Sequence, residues 1–344
     1  MSDTNGVDYR SAGVDLEAAE RVKEELGGLV SATGDKNTLS SFGLFGGLYA
    51  VPDGFDSPVL VSSADGVGTK LQVAFMTESH STIGKDLVNH CVNDILVQGA
   101  KPIFFLDYLA SGGMDELILP QVIGGIAEAC QENGCTLLGG ETAQMPDFYS
   151  IDEYDLAGFI VGVVEKNKII DGSKIESGNV LIGLTSSGLH TNGYTLARKI
   201  VFDTMGMSVE DEFPGTSQSV GEVLLEVHRS YLNDIEVVLA QDLVNGLAHI
   251  TGGGIEGNLP RILPDGIGAN IEKNSWEVPN VFEVLQKGGN VTDEEMYRVF
   301  NMGIGMILVV QEEHVTNVLS ELERGQSDCR VIGRVGAGSG VRLE

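Results

Sequence analysis

The chain has 344 residues, with 42% hydrophobic and 21% charged, a globular composition long enough for two domains. Its 50 acidic residues outnumber 21 lysines and arginines, giving a formal net charge of -29. A negative field of that size repels nucleic acids and anionic membranes, so neither is expected as a partner. A phosphorylated ligand would need Mg²⁺, backbone N–H groups and a few placed cations to hold it.

Two features bear on the location of the protein. The first residues lack the apolar segment of a signal peptide, and no apolar run approaches the ~20 residues of a membrane span. The 4 cysteines show neither a CxxC pair nor a zinc-ligand spacing. We therefore expect buried, reduced thiols and a cytoplasmic protein.

Hydrophobic periodicity predicts alternating helices and strands in the first half of the chain. In order, these are a helix at 15–26, a polar loop at 27–41, a strand at 59–64, a helix at 83–97, a strand at 103–109, a helix at 115–133 with Asp115 as N-cap, and strands at 136–138 and 156–165.

A turn-rich segment at 167–179 is interpreted as the domain junction. Beyond it we predict a strand at 180–185, a helix after His190, a helix at 220–239, and strands at 304–310 and 330–335. The sequence thus predicts an α/β or α+β protein with domains at 1–168 and 169–344.

The hexapeptide DGVGTK, residues 65–70, follows a predicted apolar strand. It is not a Walker A loop, because the hydroxyl residue precedes the lysine. Gly66 and Gly68 would let backbone N–H groups point at an anion, and Lys70 would add a positive charge. Asp65 suits Mg²⁺ better than phosphate. A tight turn without any ligand explains this motif equally well when it is taken alone.

Two further acids occur where a ligand could reach them. Asp94 follows Asn93 inside an otherwise apolar helix, where polar groups are costly unless paired or bound to metal. The alternative is that both simply face solvent or cap a neighbouring element. Glu141 follows two glycines at the predicted end of a strand, where ligands commonly gather. With Asp65, these acids could form one oxygen-lined site for one or two Mg²⁺ ions.

The second half contains two polar, glycine-containing motifs. In SSGLHTNGY, His190 could donate a hydrogen bond or a proton to a reacting group, although a lone loop histidine is more often structural. In ITGGG, the glycines at 252–254 form a candidate phosphate cradle, or alternatively a helix entry with unusual turn geometry. The chain lacks a GxSxG elbow, so covalent catalysis is not supported.

In this order, the motifs resemble one family, the phosphoribosylformylglycinamidine cyclo-ligases, also called aminoimidazole ribonucleotide synthetases. The resemblance covers nearly the whole chain, and the combination is specific although each piece is not. The matching segments are YRSAGVD, DGVGTK, VNDILVQGA, FFLDY, GGETA, YDLAGFIVGVVEK, SSGLHTNGY, ITGGG and EMYRVFNMGIGM.

This resemblance implies ATP-dependent ring closure of formylglycinamidine ribonucleotide to aminoimidazole ribonucleotide, with Mg²⁺, ADP and phosphate. It implies the two-domain PurM-like fold. There, an N-terminal α/β domain contributes strands to a dimer-spanning β-barrel, next to a C-terminal α/β sandwich. A homodimer is therefore implied, with the active site between the domains and reaching the dimer interface.

Carried onto this sequence, the resemblance implies roles for the motif residues. Catalytic roles fall to Asp94, His190 and Asn192. Metal ligation falls to Asp65, Asp94 and Glu141. Cofactor binding falls to Asp65, Gly66, Gly68, Thr69, Lys70, Gly252, Gly253 and Gly254; the residues themselves add Ser187 and Gly188, because hydroxyl and free N–H groups at this strand end suit an anion.

The sequence also departs from the family pattern. Residues 40–47 read SSFGLFGG where a more glycine-rich run is usual, which weakens an ATP-covering role for this loop. Ser63-Ala64 replaces a common Gly-Thr pair, and Gln144 replaces a frequent glutamate. The alternative functions are a sister kinase or a selenophosphate synthetase-like enzyme, and, from another class, a non-catalytic nucleotide-binding protein. The lack of a reactive N-terminal cysteine argues against selenophosphate chemistry.

Overall fold

The computed structural model describes residues 16–113 and 116–344. The segment YRSAGVD and the predicted cap Asp115 lie outside these ranges. The first domain contains α1 (Leu16–Ser31), β1 (Pro58–Gly66), α2 (Leu71–Thr77), α3 (Ser81–Leu96), β2 (Lys101–Ser111), α4 (Ile118–Glu132), β3 (Thr136–Gln144) and β4 (Tyr154–Glu165).

The four strands of the first domain form one sheet in the order β1-β4-β2-β3. Helix α3 lies against one face because its apolar stripe, which includes Ile83 and Leu87, is fully buried there. The opposite face leaves large side chains exposed: Leu60 is 60%, Tyr108 37% and Phe159 45% accessible. One face of this sheet is therefore core and the other is an open apolar surface.

The second domain contains β5 (Val180–Thr185), α5 (Tyr194–Arg198), α6 (Val220–Leu224), α7 (Leu232–Ala240), β6 (Val244–His249), α8 (Gly254–Asn258), β7 (Ile267–Ile271), α9 (Asn280–Gly289), α10 (Asp293–Val299), β8 (Ile304–Val310), α11 (Val315–Arg324), β9 (Cys329–Ala337) and β10 (Gly340–Leu343). Its strands form a sheet in the order β10-β7-β9-β5-β8-β6. Strand β8 is buried at every position, as its continuous apolar sequence requires.

The predicted fold class is confirmed, and the predicted boundary at 168/169 falls in the connection between β4 and β5. The expected helix over 220–239 is wrong, because residues 225–231 interrupt it between α6 and α7. We call residues 225–231 the α6–α7 segment. Its backbone groups bond to α3 side chains instead of to one another: His228 N donates to Asp86 at 2.8 Å, and Tyr231 N donates to Asn93 at 3.0 Å.

The strand predicted to end at 138 is too short. Strand β3 continues to Gln144, and Glu141 lies within it, paired with Tyr108 of β2. Glycines at 139 and 140 do not end the strand because the parallel pairing with β2 continues past them. Within the described ranges, no helix is long and apolar enough to cross a membrane.

Candidate active site

A cleft of about 460 Å³ opens between the domains at the end of β1. Residues 65–68 line it from the first domain, and Thr191, Asn192 and Thr251 line it from the second. Gly68 has a φ of 66°, a left-handed conformation that favours glycine at this turn. The DGVGTK turn therefore faces the second domain directly.

Asp65 lines this cleft, and Asp94 lies close to it, next to His90. Asp65 Oδ2 lies 2.9 Å from His90 Nε2, and Asp94 Oδ2 lies 3.9 Å from the same nitrogen. Asp94 also contacts His249 Nδ1 at 2.9 Å and accepts a hydrogen bond from Ser63 at 3.0 Å. The structure thus brings together two of the three predicted acids, from two elements that are distant in sequence.

Both acids are held in the charged form. Burial raises the pKa of Asp94, but hydrogen bonding to His249 and nearby histidine charge outweigh it and lower the pKa below its usual range. Burial also raises the pKa of Asp65, but the hydrogen bond to His90 outweighs it, so the pKa is lowered below its usual value. The side chains are 44% (Asp65) and 26% (Asp94) exposed; Asp65 lines the cleft, and Asp94 lies beside it.

The expectation that Glu141 joins these acids within one chain is wrong. Across the sheet, Asp65 is paired with Gly158, Gly158 with Asp107, and Asp107 with Gly140. Three strand spacings therefore separate Asp65 from Gly140, so the backbone of the next residue, Glu141, lies roughly 14 Å from that of Asp65. Successive side chains alternate between faces, which turns Glu141 to the open face, away from α3.

Glu141 lines a separate cavity of about 710 Å³, together with residues 41–47. The SSFGLFGG loop thus lies over Glu141 and not over the Asp65 cleft. Asp107 lies at this cavity and is 8% exposed. Burial raises the pKa of Asp107 to about 7, with a further contribution from the charge on Glu141.

Lys70 does not face the cleft, which corrects its predicted role as a phosphate contact. Its side chain is completely buried, with Nζ 2.8 Å from Asp86 Oδ2. It also donates to the Glu226 carbonyl oxygen at 2.7 Å. Lys70 therefore joins the first domain to Glu226 of the α6–α7 segment.

His190 is also placed away from the cleft. It is 1% exposed, and its ring stacks on His228 with centroids 4.0 Å apart. Burial lowers the pKa of His190 well below its usual value, so the ring is neutral. This burial corrects the prediction that His190 donates a proton at the substrate. Its φ of 62° marks it instead as a strained structural position.

Asn192, predicted to contact the substrate, lies at the wall of the cleft. Its Nδ2 is buried and has no hydrogen-bond partner among the residues that the structure describes. A Cβ at position 252 would lie 3.3 Å from Asn192 Oδ1, so the ITGGG loop adjoins this amide. An unpaired buried donor costs about 1–3 kcal/mol, which a ligand acceptor would recover.

The remaining predicted binding residues separate into two groups. Thr69 contacts the second domain, with its Oγ1 3.0 Å from Thr195 Oγ1. Gly188 is buried, and Ser187 donates its hydroxyl to Val227, so neither lines the cleft. Gly254 is glycine for packing reasons: a Cβ there would lie 1.9 Å from the Tyr297 carbonyl oxygen.

Gly252 is exposed beside the cleft, and Gly253 is the N-cap of α8 with a φ of 97°. The ITGGG loop therefore combines one exposed glycine with two that serve the turn and its packing.

Sequence reasoning missed the histidines behind the acids. His90 stands four residues before Asp94, the spacing that places two side chains on one helix face. His249 directly precedes the ITGGG loop, and His228 lies in the α6–α7 segment. The spacing could have identified His90, but only the tertiary structure brings the other two to it.

Two groups of side chains bring possible metal-ligand atoms within 4.8 Å of one another: His190, His228 and His249, and His90, Asp94 and His249. The first group is fully buried, and the rings of His190 and His228 stack on each other. Asp65 at the cleft and Asp94 beside it offer carboxylate oxygens, and Mg²⁺ commonly takes one or two carboxylates with phosphate oxygens and water.

Relatives are found over the whole length. The phosphoribosylformylglycinamidine cyclo-ligase of Citrifermentans bemidjiense is 51% identical over 96% of this chain and 95% of that protein. The enzyme of that name from a Bacillus cereus strain is 48% identical over 97% and 96%.

Among solved structures, the thiamine-monophosphate kinase of Stenotrophomonas maltophilia is similar, with a TM-score of 0.68 at 14% identity, covering 96% of this chain and 97% of that one. Escherichia coli HypE gives 0.67 at 16% identity, covering 94% and 93%. These two show a shared fold.

Family models match both domains: AIR synthase related protein, N-terminal domain, at residues 50–164, and its C-terminal domain at 176–344. Together with the near-half identity over almost the full length, these matches show that the chain belongs to the phosphoribosylformylglycinamidine cyclo-ligase family.

Proposed function

We propose that the chain closes the imidazole ring of formylglycinamidine ribonucleotide, using ATP, to give aminoimidazole ribonucleotide, ADP and phosphate. The observation that carries this proposal is full-length relatedness to cyclo-ligases, combined with an interdomain cleft that has one ionised carboxylate in its wall and a second beside it. ATP would activate the formyl oxygen as a phosphate ester, and a substrate nitrogen would then attack that carbon and expel phosphate.

Such a reaction places few chemical demands on the protein. The nucleophile belongs to the substrate, so the chain's tasks are to position both reactants and to stabilise developing charge. Asn192 is suited to donate to a substrate oxygen, and the backbone of residues 66–69 to approach phosphate. His190 and Lys70 would support the walls of the site from behind, as their burial indicates.

Asp65 and Asp94 would hold Mg²⁺ in this cleft. When bound, the ion would neutralise phosphate charge, which a chain of net charge -29 otherwise opposes. The two residues supply carboxylate oxygens that are held ionised by histidine neighbours, and such oxygens are the donor type that Mg²⁺ prefers.

We further propose a homodimer formed through the open face of the first-domain sheet. The exposed side chains of Leu60, Tyr108 and Phe159 support this interface. Glu141 lies on that face, so in such a dimer it would lie at the interface with the second copy. The buried, unpaired cysteines favour the reducing cytoplasm as the location.

The test is phosphate release from ATP and Mg²⁺ with each of two substrates. We expect release with formylglycinamidine ribonucleotide and none with thiamine monophosphate. The product of the first reaction should carry the closed ring by mass spectrometry. Phosphate transfer to thiamine monophosphate instead would assign the chain to the kinase alternative.

A further inference from the structure

The polar residues of α3 form a stripe that docks the second domain. Asn89 donates to the His228 carbonyl oxygen at 2.8 Å, and Asn93 donates to that of Arg229 at 2.8 Å. Asn93 is completely buried, yet both ends of its amide are paired. Asn89 and Asn93, two polar residues of an otherwise apolar helix, thus contact the second domain. These contacts fix the position of His228 relative to Asp65 and Asp94.

Side-chain hydrogen bonds continue from this contact as an unbroken path between the two acids. We call its four inner members, His90, Thr191, His228 and His249, the histidine–threonine path. In order, the joined atoms are Asp65 Oδ2 and His90 Nε2 (2.9 Å), His90 Nδ1 and Thr191 Oγ1 (2.7 Å), Thr191 Oγ1 and His228 Nδ1 (3.2 Å), His228 Nε2 and His249 Nε2 (3.1 Å), and His249 Nδ1 and Asp94 Oδ1 (2.9 Å).

Thr191 is the point at which this path crosses between domains. Its single hydroxyl contacts His90 of the first domain and His228 of the second. A hydroxyl can serve both partners because it has one proton and two lone pairs. Without the Thr191 hydroxyl, the Nδ1 atoms of His90 and His228 would both lose this hydrogen-bond partner. The orientations of His90, which contacts Asp65, and of His249, which contacts Asp94, would then be less constrained.

We propose that Thr191 and His228 are positioning residues that hold the Asp65 and Asp94 carboxylates in the orientation needed for a divalent cation. This inference rests on the proposed function of the cleft. Neither residue needs to touch the ion, since each acts through a histidine that contacts an acid. Partners that orient ligand groups in this way typically contribute 10–100-fold to metal affinity.

The experiment compares Thr191→Val, which keeps the shape and removes the hydroxyl, with Thr191→Ser, which keeps the hydroxyl. The probe is Mn²⁺ alone, followed by the paramagnetic resonance of the free ion, so that no substrate is required. We expect Thr191→Val to bind Mn²⁺ about tenfold more weakly than wild type, and Thr191→Ser to recover most of that loss. Should valine disturb packing at this half-buried position, Thr191→Ala provides the same deletion.

A purely structural role predicts a different result. It would lower the thermal midpoint of Thr191→Val while leaving Mn²⁺ affinity at the wild-type value, and that outcome overturns the proposal. Wild-type protein that binds no Mn²⁺ overturns it as well, since the acids would then hold no cation.

Turnover separates this proposal from the function on which it rests. With substrate, Thr191→Val should raise the apparent KM for Mg²⁺ about tenfold and restore kcat at saturating Mg²⁺. If wild type fails to close the ring while Thr191→Val still weakens Mn²⁺ binding, the proposed function fails and the positioning role stands. If wild type is active and both proteins bind Mn²⁺ equally, only the positioning role fails.

Discussion

Lys70 Nζ lies 2.8 Å from Asp86 Oδ2, and both side chains are completely inaccessible to solvent. Burial opposes charge on both groups, lowering the pKa of Lys70 and raising that of Asp86, while their mutual attraction offsets it. The pair anchors the α6–α7 segment, because Asp86 also accepts from His228 N. The lysine of DGVGTK is thus part of the domain interface.

Replacing Lys70 should reduce stability. Lys70→Met leaves Asp86 as a buried charge without its partner, so the free energy of unfolding should fall by about 3–5 kcal/mol in urea titrations. The double variant Lys70→Met with Asp86→Leu should recover part of the loss. Lys101→Ala is the control, because it removes an exposed ion pair with Glu236 and should cost less than about 1 kcal/mol. If Lys70→Met leaves the free energy of unfolding unchanged, Lys70 does not form the buried pair with Asp86, and its predicted role at the cleft would stand.

Asp94→Asn should abolish most turnover without unfolding the protein. The amide keeps the shape but loses the charge that would neutralise a cation, so kcat should fall about a hundredfold or more, equivalent to ~3 kcal/mol. Circular dichroism and steady-state kinetics measure the two effects. Asp265→Asn, at an exposed turn, is the matched control and should remain fully active. Wild-type turnover in Asp94→Asn would remove this acid from the cation site.

Asn192→Ala should impair substrate use selectively. If its unpaired amide meets a substrate acceptor, losing it should lower kcat/KM about tenfold, or ~1.4 kcal/mol, with little effect on stability. Asn317→Ala, on the exposed surface of α11, supplies the comparison. A stability gain with unaltered kcat/KM would instead identify Asn192 as an unsatisfied group without a role in binding.

Asp107 should make stability depend on pH. Its pKa of about 7 in the folded protein exceeds the ordinary 3.8, so the folded state binds more protons between these values. The contribution of Asp107 to the free energy of unfolding is fully present below pH 3.8 and is lost as the pH rises through about 7. Asp107→Asn should therefore gain stability relative to wild type, by roughly 2–4 kcal/mol between pH 4 and 8, in urea titrations. A difference that does not vary with pH would contradict the raised pKa.

Co-expression of two inactive variants tests whether Glu141 serves the site of a second copy. In mixed dimers of Asp94→Asn and Glu141→Gln, one site would keep both acids, so activity should return to about a quarter of wild type. Mixing Asp94→Asn with Asp65→Asn should restore nothing, because both acids belong to one chain's cleft. Equal failure of both mixtures would assign Glu141 no role across an interface.

The sequence predicts elements best where local pattern and burial agree. Strand β8 has the predicted bounds because seven consecutive apolar residues fit a fully buried strand. The helix expected over 220–239 has an apolar period as well, but Asp86 and Asn93 offer its backbone better partners. Glu141 was predicted at the end of a strand, but β3 continues past the two glycines because its pairing with β2 continues.

Residue identity and order were enough to place the chain in its family, because these are read directly from the sequence. Which way each charged side chain faces is settled only when the chain is packed. Lys70 is buried because Asp86 and the carbonyl oxygen of Glu226 accept hydrogen bonds from it. Glu141 faces the open side of the sheet because successive side chains of a strand alternate between its two faces. Histidines far apart in the chain lie together behind the acids only because the second domain packs against α3.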